Sequence, residues 1–202
     1  MIRIDKYFPT LIGVSRLDMP KDLKNKAVKK CMALKNTINS GGQNWLSKNT
    51  YNTLGTFNFL KDKDFDFISS FIKKEVADYC NKLKIDFNRI DMEPDMAWFN
   101  IYKKGDYQEY HVHNDSALSV VYFLDGPPNS SRIFFKTPIN PLSKIPYIDY
   151  YDDTFKTLHY DMQPGLLLIF DSSLEHAVEQ HIQDEPRISL ATNFNVKNEN
   201  HR

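Results

Sequence analysis

The run His111-Val-His-Asn-Asp115 puts three potential metal-ligating side chains at alternate positions. In an extended chain successive side chains point to opposite faces, so His111, His113 and Asp115 would share one face and Val112 and Asn114 the other. A further candidate is His176, which follows the apolar run Gly165-Leu-Leu-Leu-Ile-Phe170 and the turn Asp171-Ser-Ser. Two neighbouring ligands and one distant histidine would hold a metal while leaving coordination positions open. An isolated His-x-His is more often an ordinary exposed strand, so the pair needs support from elsewhere. Arg187, eleven residues after His176, heads the strand-like run Ile-Ser-Leu-Ala-Thr-Asn-Phe194. Arg187 and Ser189 then face the same way, a fork of N–H donors beside a hydroxyl, suited to one carboxylate. An arginine turned into a sheet interior is costly without a counter-charge, which points to an anionic ligand.

The elements that must carry these residues fall into two halves. Helical periodicity runs over Lys21 to Ile38 and over Asp62 to Leu83. Between them, Asn39 to Thr50 is polar and contains the Gly41-Gly42 pair, which reads as a loop. From Met92 onward the chain changes to short runs rich in β-branched and aromatic residues, the pattern of an antiparallel sheet system. The expected strands are Met96 to Tyr102, Tyr107 to His113, Leu118 to Leu124, Arg132 to Lys136, Leu166 to Phe170, His176 to Gln180 and Ile188 to Val196. In the first of these, Trp98, Asn100 and Tyr102 alternate with Ala97, Phe99 and Ile101, so one face suits a ligand cavity or a polar sheet surface. Thr137 to Thr157 is a long connection with Asp149, Asp152 and Asp153, of a length used for lids or for plain surface elaboration.

Composition bounds the rest. The 202 residues suffice for one well-buried core, so a single domain is expected, with helical support over 1–91 and a sheet core over 92–196. Lys plus Arg number 26 and Asp plus Glu 26, so no overall field draws the protein to nucleic acid or an anionic membrane. Cys31 and Cys80 lie in helix-like segments without paired spacing, which suits reduced thiols in the core. No stretch approaches a membrane-spanning length and the first residues lack an apolar core, so a soluble, cytoplasmic protein is expected. Oligomeric state leaves no trace in the pattern.

The order His-x-His or His-x-Asp, then Leu-Ser-Val-Val-Tyr-Phe-Leu124, then Gly-Leu-Leu-Leu-Ile-Phe-x-Ser-x-x-x-His176, then Arg-Ile-Ser189 resembles the 2-oxoglutarate/Fe(II)-dependent oxygenase superfamily. More narrowly, it is similar to a microbial and phage oxygenase group showing His-x-His-x-x-Ser-x-x-Ser before the tyrosine-containing strand. Phe8-Pro9-Thr10 is similar to that group's opening. The resemblance implies an α+β chain whose core is a double-stranded β-helix, a cupin-like jelly roll, supported by N-terminal helices. It implies Fe(II), 2-oxoglutarate and O₂ as cofactor and co-substrates, and decarboxylation to succinate and CO₂ coupled to oxidation, by default hydroxylation, of a substrate C–H bond. By position, His176 would be the distal iron ligand, Arg187 and Ser189 would take the far carboxylate of 2-oxoglutarate, and Asn100 and Tyr102 would line its pocket. The near ligands fall on His111 and His113 in the narrower group, or on His113 and Asp115 by the superfamily's usual His-x-Asp. A cupin is a competitor because Gly105 precedes His111-Val-His113 by the right interval, but Ala117 and Leu118 stand where its glutamate belongs. A non-catalytic jelly-roll binding module is the competitor of a different class. The primary substrate, a small molecule or a peptide, has no readable code in the loops.

Overall fold

The computed structural model describes residues 2–3, 9–41, 45–47, 49–128, 130–139 and 155–198, so Phe8 and most of the connection between Thr137 and Thr157 lie outside the described residues. Among the described residues, two α-helices, α1 (Lys21–Lys35) and α2 (Asp66–Lys82), brace ten strands. These are β1 (Ile12–Arg16), β2 (Tyr51–Asn52), β3 (Ile90–Tyr102), β4 (Gln108–His111), β5 (Leu118–Asp125), β6 (Ile133–Lys136), β7 (Thr157–Tyr160), β8 (Leu166–Asp171), β9 (His176–Val178) and β10 (Arg187–Asn198). They form a six-stranded sheet in the order β1-β8-β5-β10-β3-β2 and a four-stranded sheet in the order β4-β9-β6-β7. All pairings are antiparallel. The chain folds as the expected jelly roll.

The period-2 pattern of the long strands divides the larger sheet between two cores. One face presents Phe99, Ile101, Val120, Tyr122, Leu167, Ile169, Ile188 and Leu190, which pack with Ala27, Cys31, Ile68, Ile72, Val76 and Cys80 of the helices. The other face presents Phe123, Leu168 and Phe170, which pack with Ile133 and Phe135 of the smaller sheet. The helices are thus a backing that covers one face and leaves the other to the site. Cys31 and Cys80 are buried free thiols, and burial pushes both thiols up from their ordinary pKa. No described helix is long and apolar enough to cross a membrane.

Three strands depart from the sequence reading. β1 and β2 lie in the segment expected to be helical support, and β7 lies at the end of the long connection. Each is short and exists through its partner: β1 borders β8 from Ile12↔Phe170 to Arg16↔Leu166, and β7 borders β6. Such edges are specified by a neighbour's open backbone, which local pattern does not encode. β3 also begins earlier than expected, at Ile90, because β10 continues to Asn198 opposite it. Pro94, which has no N–H to give, sits at the register shift between Asn193 and Phe194 in that pairing.

Candidate active site

β4 and β9 are register neighbours, and His111 lies directly opposite His176. Their rings sit 4.2 Å apart between centroids, and His113 lies 5.1 Å from His111 and 5.2 Å from His176. One ring nitrogen from each of the three lies within 4.8 Å of the others. Backbone carbonyls hold two of these rings. His111 Nδ1 is 2.8 Å from the Glu109 carbonyl and His176 Nδ1 is 2.8 Å from the Leu174 carbonyl. A carbonyl only accepts, so each Nδ1 carries the proton and each Nε2 keeps a free lone pair. His113 Nδ1 pairs with the Asn193 side-chain amide at 3.1 Å, and that amide is held in turn by Ser119 Oγ at 3.1 Å. Burial lowers all three histidines from their ordinary pKa: His113, with His111 beside it, to about 4, and His176 well below the usual range. The cluster is therefore three neutral imidazoles at physiological pH, a donor set that suits iron and other imidazole-binding metals.

Asp115 is not in this group. The strand ends at His111, and the backbone turns at Asn114-Asp115, with Ser116 N–H donating to the His113 carbonyl at 3.0 Å. The two-residue alternation stops there, which leaves Asp115 exposed in the turn. His113 escapes the same fate because its N–H donates to the Ser172 carbonyl at 2.8 Å, extending the strand direction by one bond.

β3 and β10 supply the second part of the cavity. Their register pairs Arg187 with Tyr102, Ser189 with Asn100 and Ala191 with Trp98, and all six line one cleft with the three histidines. The cleft's empty space, its open mouth included, is about 480 Å³. Arg187 is fully buried, with its guanidinium carbon 4.8 Å from the ring centres of both Tyr102 and Phe123. One guanidinium nitrogen donates to Ser189 Oγ at 3.5 Å, a long bond, and Nε and the second terminal nitrogen have no hydrogen-bond partner among the described residues. Burial lowers its pKa, with Tyr102 opposing that shift, and pushes the Tyr102 hydroxyl up. A buried cation with unmet donors and no carboxylate partner costs several kcal/mol, about what an incoming anion would recover.

Asn193 and Trp45 also line the cleft and were missed in the sequence. Asn193 was legible: it continues the Arg187, Ser189, Ala191 row at the two-residue period. Trp45 carried no such signal, because it comes from the loop between α1 and β2, and its ring lies 5.2 Å from that of His111.

Comparison with known proteins adds the family. Residues 96–193, which hold all three histidines and Arg187, match the family described as "Putative 2OG-Fe(II) oxygenase". Comparison with curated proteins finds no match. Among solved structures, a Pseudomonas putida prolyl-4-hydroxylase superposes with a TM-score of 0.65 at 15% identity, covering 92% of this chain and 93% of that one. A Trichoplax adhaerens prolyl hydroxylase in complex with a hypoxia inducible factor peptide fragment gives 0.61 at 13% identity, covering 91% and 82%. HygX from Streptomyces hygroscopicus, with nickel, 2-oxoglutarate and hygromycin B bound, gives 0.62 at 8% identity, covering 92% and 83%. At such identities the superpositions establish the fold, and the family match covers the strands that carry the site. Residues 96–193, the strands that carry the candidate site, thus match a 2-oxoglutarate/Fe(II)-dependent oxygenase family, and the whole chain shares the fold of solved 2-oxoglutarate oxygenases.

Proposed function

We propose that His111, His113 and His176 hold the Fe(II), that Arg187 and Ser189 bind the distal carboxylate of 2-oxoglutarate, and that Asn100 and Tyr102 line its pocket. The observation that carries this reading is Arg187, a fully buried guanidinium with two unpartnered nitrogens in the same cleft as three convergent neutral imidazoles. A dicarboxylate fits both demands: one end meets the arginine fork and the other reaches the histidine cluster. Bound Fe(II) would supply the oxidising chemistry, in which 2-oxoglutarate and O₂ yield succinate and CO₂ as a substrate C–H bond is oxidised, with hydroxylation as the outcome.

The chain's own residues position and exclude. The carbonyls of Glu109 and Leu174 accept from Nδ1–H of His111 and His176, which leaves each Nε2 as the metal donor, whereas the Asn193 amide N–H orients the His113 ring by donating to its Nδ1. Tyr102 and Phe123 sandwich the guanidinium and keep water from the carboxylate site. With three neutral ligands the protein brings no negative charge to the metal, so charge balance there falls to the co-substrate. The neighbours' bound molecules include a peptide fragment and hygromycin B, and the substrate of this chain is in turn a small molecule or a peptide.

Anaerobic titration with Fe(II), with and without 2-oxoglutarate, tests the reading. One iron per chain, a spectral change that requires 2-oxoglutarate, and succinate on admitting air are the expected results. Failure to retain iron, or retention with no response to 2-oxoglutarate, overturns it.

A further inference from the structure

The loop after α1 is fastened to β4 by side chains rather than by sheet pairing. Glu109 accepts from the backbone N–H of Leu46 at 2.7 Å and of Ser47 at 3.2 Å, and from Gln108 Nε2 at 2.9 Å. Ser47 Oγ donates to Gln108 Oε1 at 3.2 Å, and Thr50 Oγ1 donates to the Tyr107 carbonyl at 2.8 Å. Ser47 and Gln108 are buried at this junction, whereas Leu46 between the fastened groups is 78% exposed. An apolar side chain left in solvent shows that burial of Leu46 does not hold the loop there; the polar contacts do.

What they hold is Trp45, which borders the cleft above His111 while Trp98 borders it beside His113, with rings 5.2 Å and 5.8 Å from the respective imidazoles. Glu109 thus touches the site twice. Its carbonyl fixes the His111 ring and its carboxylate fixes the tryptophan over that ring. An indole is a large, rigid, mostly apolar surface with one donor, and set over a metal site it excludes water and offers a flat face to an apolar or ring-bearing group.

We propose that Trp45 is the specificity-determining outer wall of the oxygenase site, and that the Glu109 carboxylate is the positioning residue that latches it over His111. This rests on the metal assignment above, and the test separates the two. The chain has only 2 tryptophans, Trp45 and Trp98, so 5-fluorotryptophan labelling gives two ¹⁹F resonances. Trp45→Phe, at a half-buried loop position, assigns them without threatening the fold. Mn(II), a paramagnetic substitute for Fe(II), should broaden both resonances strongly, and EDTA should restore them. In Glu109→Gln, where one of the two accepting oxygens becomes a donor, the Trp45 line should lose at least half of its Mn(II)-induced broadening and become accessible to a soluble paramagnetic probe. The Trp98 line should keep its broadening, which reports that metal still binds and the sheets are intact. Glu109→Asp, with both oxygens retained on a shorter arm, should recover part of the effect on Trp45. Broadening of Trp98 alone in the unsubstituted protein overturns the wall while leaving the metal site standing. Broadening of neither overturns both, and an unchanged Trp45 line in Glu109→Gln overturns the latch.

Discussion

Among the described residues, Arg187 alone has two buried polar side-chain atoms without a hydrogen-bond partner. Removing it should separate the two ligands. Arg187→Ala should weaken 2-oxoglutarate binding by roughly thirty-fold or more, since truncating one partner of a buried charged contact costs about 2 to 5 kcal/mol. Fe(II) affinity should stay near that of the unsubstituted protein, because the histidine cluster owes nothing to the guanidinium; calorimetry with and without iron measures both. Arg187→Met makes the complementary point about cost. With no anion bound, the methionine variant should be more stable than the parent by about 1 kcal/mol or more, since it fills similar volume without burying an unpaired charge. Urea unfolding of the two ligand-free proteins checks it, and a less stable Arg187→Met would mean that Tyr102 and Phe123 already satisfy the cation. At the cluster, His176→Ala should abolish stoichiometric iron binding, whereas Asp115→Ala, at an exposed turn, should leave it within about two-fold. The reverse ranking would put the carboxylate in contact with the metal.

At the scale of elements, the site depends on how β8 and β9 are launched. Gly165 opens β8 with φ of +93°, and a Cβ there would lie 2.6 Å from the Leu17 carbonyl oxygen, while its own carbonyl accepts from Leu17 N–H. Gly165→Ala should therefore cost about 1 to 3 kcal/mol in urea unfolding, the range for a side chain forced into left-handed backbone. On the smaller sheet, Arg132 forks onto Glu179 with contacts of 2.9 and 2.6 Å. Arg132 holds the Glu179 carboxyl below its usual range, against the opposing effect of burial. A depressed carboxylate contributes stability above its unfolded pKa, about 4.3, and loses it as pH falls through the folded value. The pair is over a third exposed, so solvent screening limits it to about 1 kcal/mol or less. Glu179→Gln should accordingly lower stability slightly at pH 7 and not at all at pH 3. A difference of equal size at both pH values would show that packing, not charge, is what Glu179 supplies.

For the whole molecule, two sheets joined through one cleft mean that ligands binding there stabilise the entire fold. Metal and 2-oxoglutarate, each at about 100 times its dissociation constant, should each add about 2.7 kcal/mol. For a chain of this length that amounts to a rise in Tm of roughly 5 to 10 °C for each ligand. EDTA should reverse the whole gain, and Arg187→Ala, with roughly thirty-fold weaker 2-oxoglutarate binding, should cut the 2-oxoglutarate part to about a third or less while keeping the metal part. Thermal melts with each ligand alone and together measure this, and a 2-oxoglutarate shift in Arg187→Ala equal to that of the parent would place the dicarboxylate elsewhere.

Much of the site was legible in order and periodicity. Arg187, Ser189, Asn100 and Tyr102 sit on strands long enough for the two-residue period to assign their face, and His176 follows an apolar run that ends in a turn. The two helices and the seven main strands were legible for the same reason, since their hydrophobic periods are strong and local. Tertiary structure decided what depends on partners distant in sequence. β1, β2 and β7 exist because an open sheet edge receives them. Where His111 and Asp115 lie relative to His176 turned on where β4 ends, which is set by the pairing of His111 with His176 some 65 positions away and by the turn that follows. Trp45 came to the histidine cluster through a loop fastened by Glu109, whose acceptors reach backbone N–H groups about 60 residues earlier in the chain. Periodicity reports which way a side chain points from its own strand, and only the fold determines what it points at.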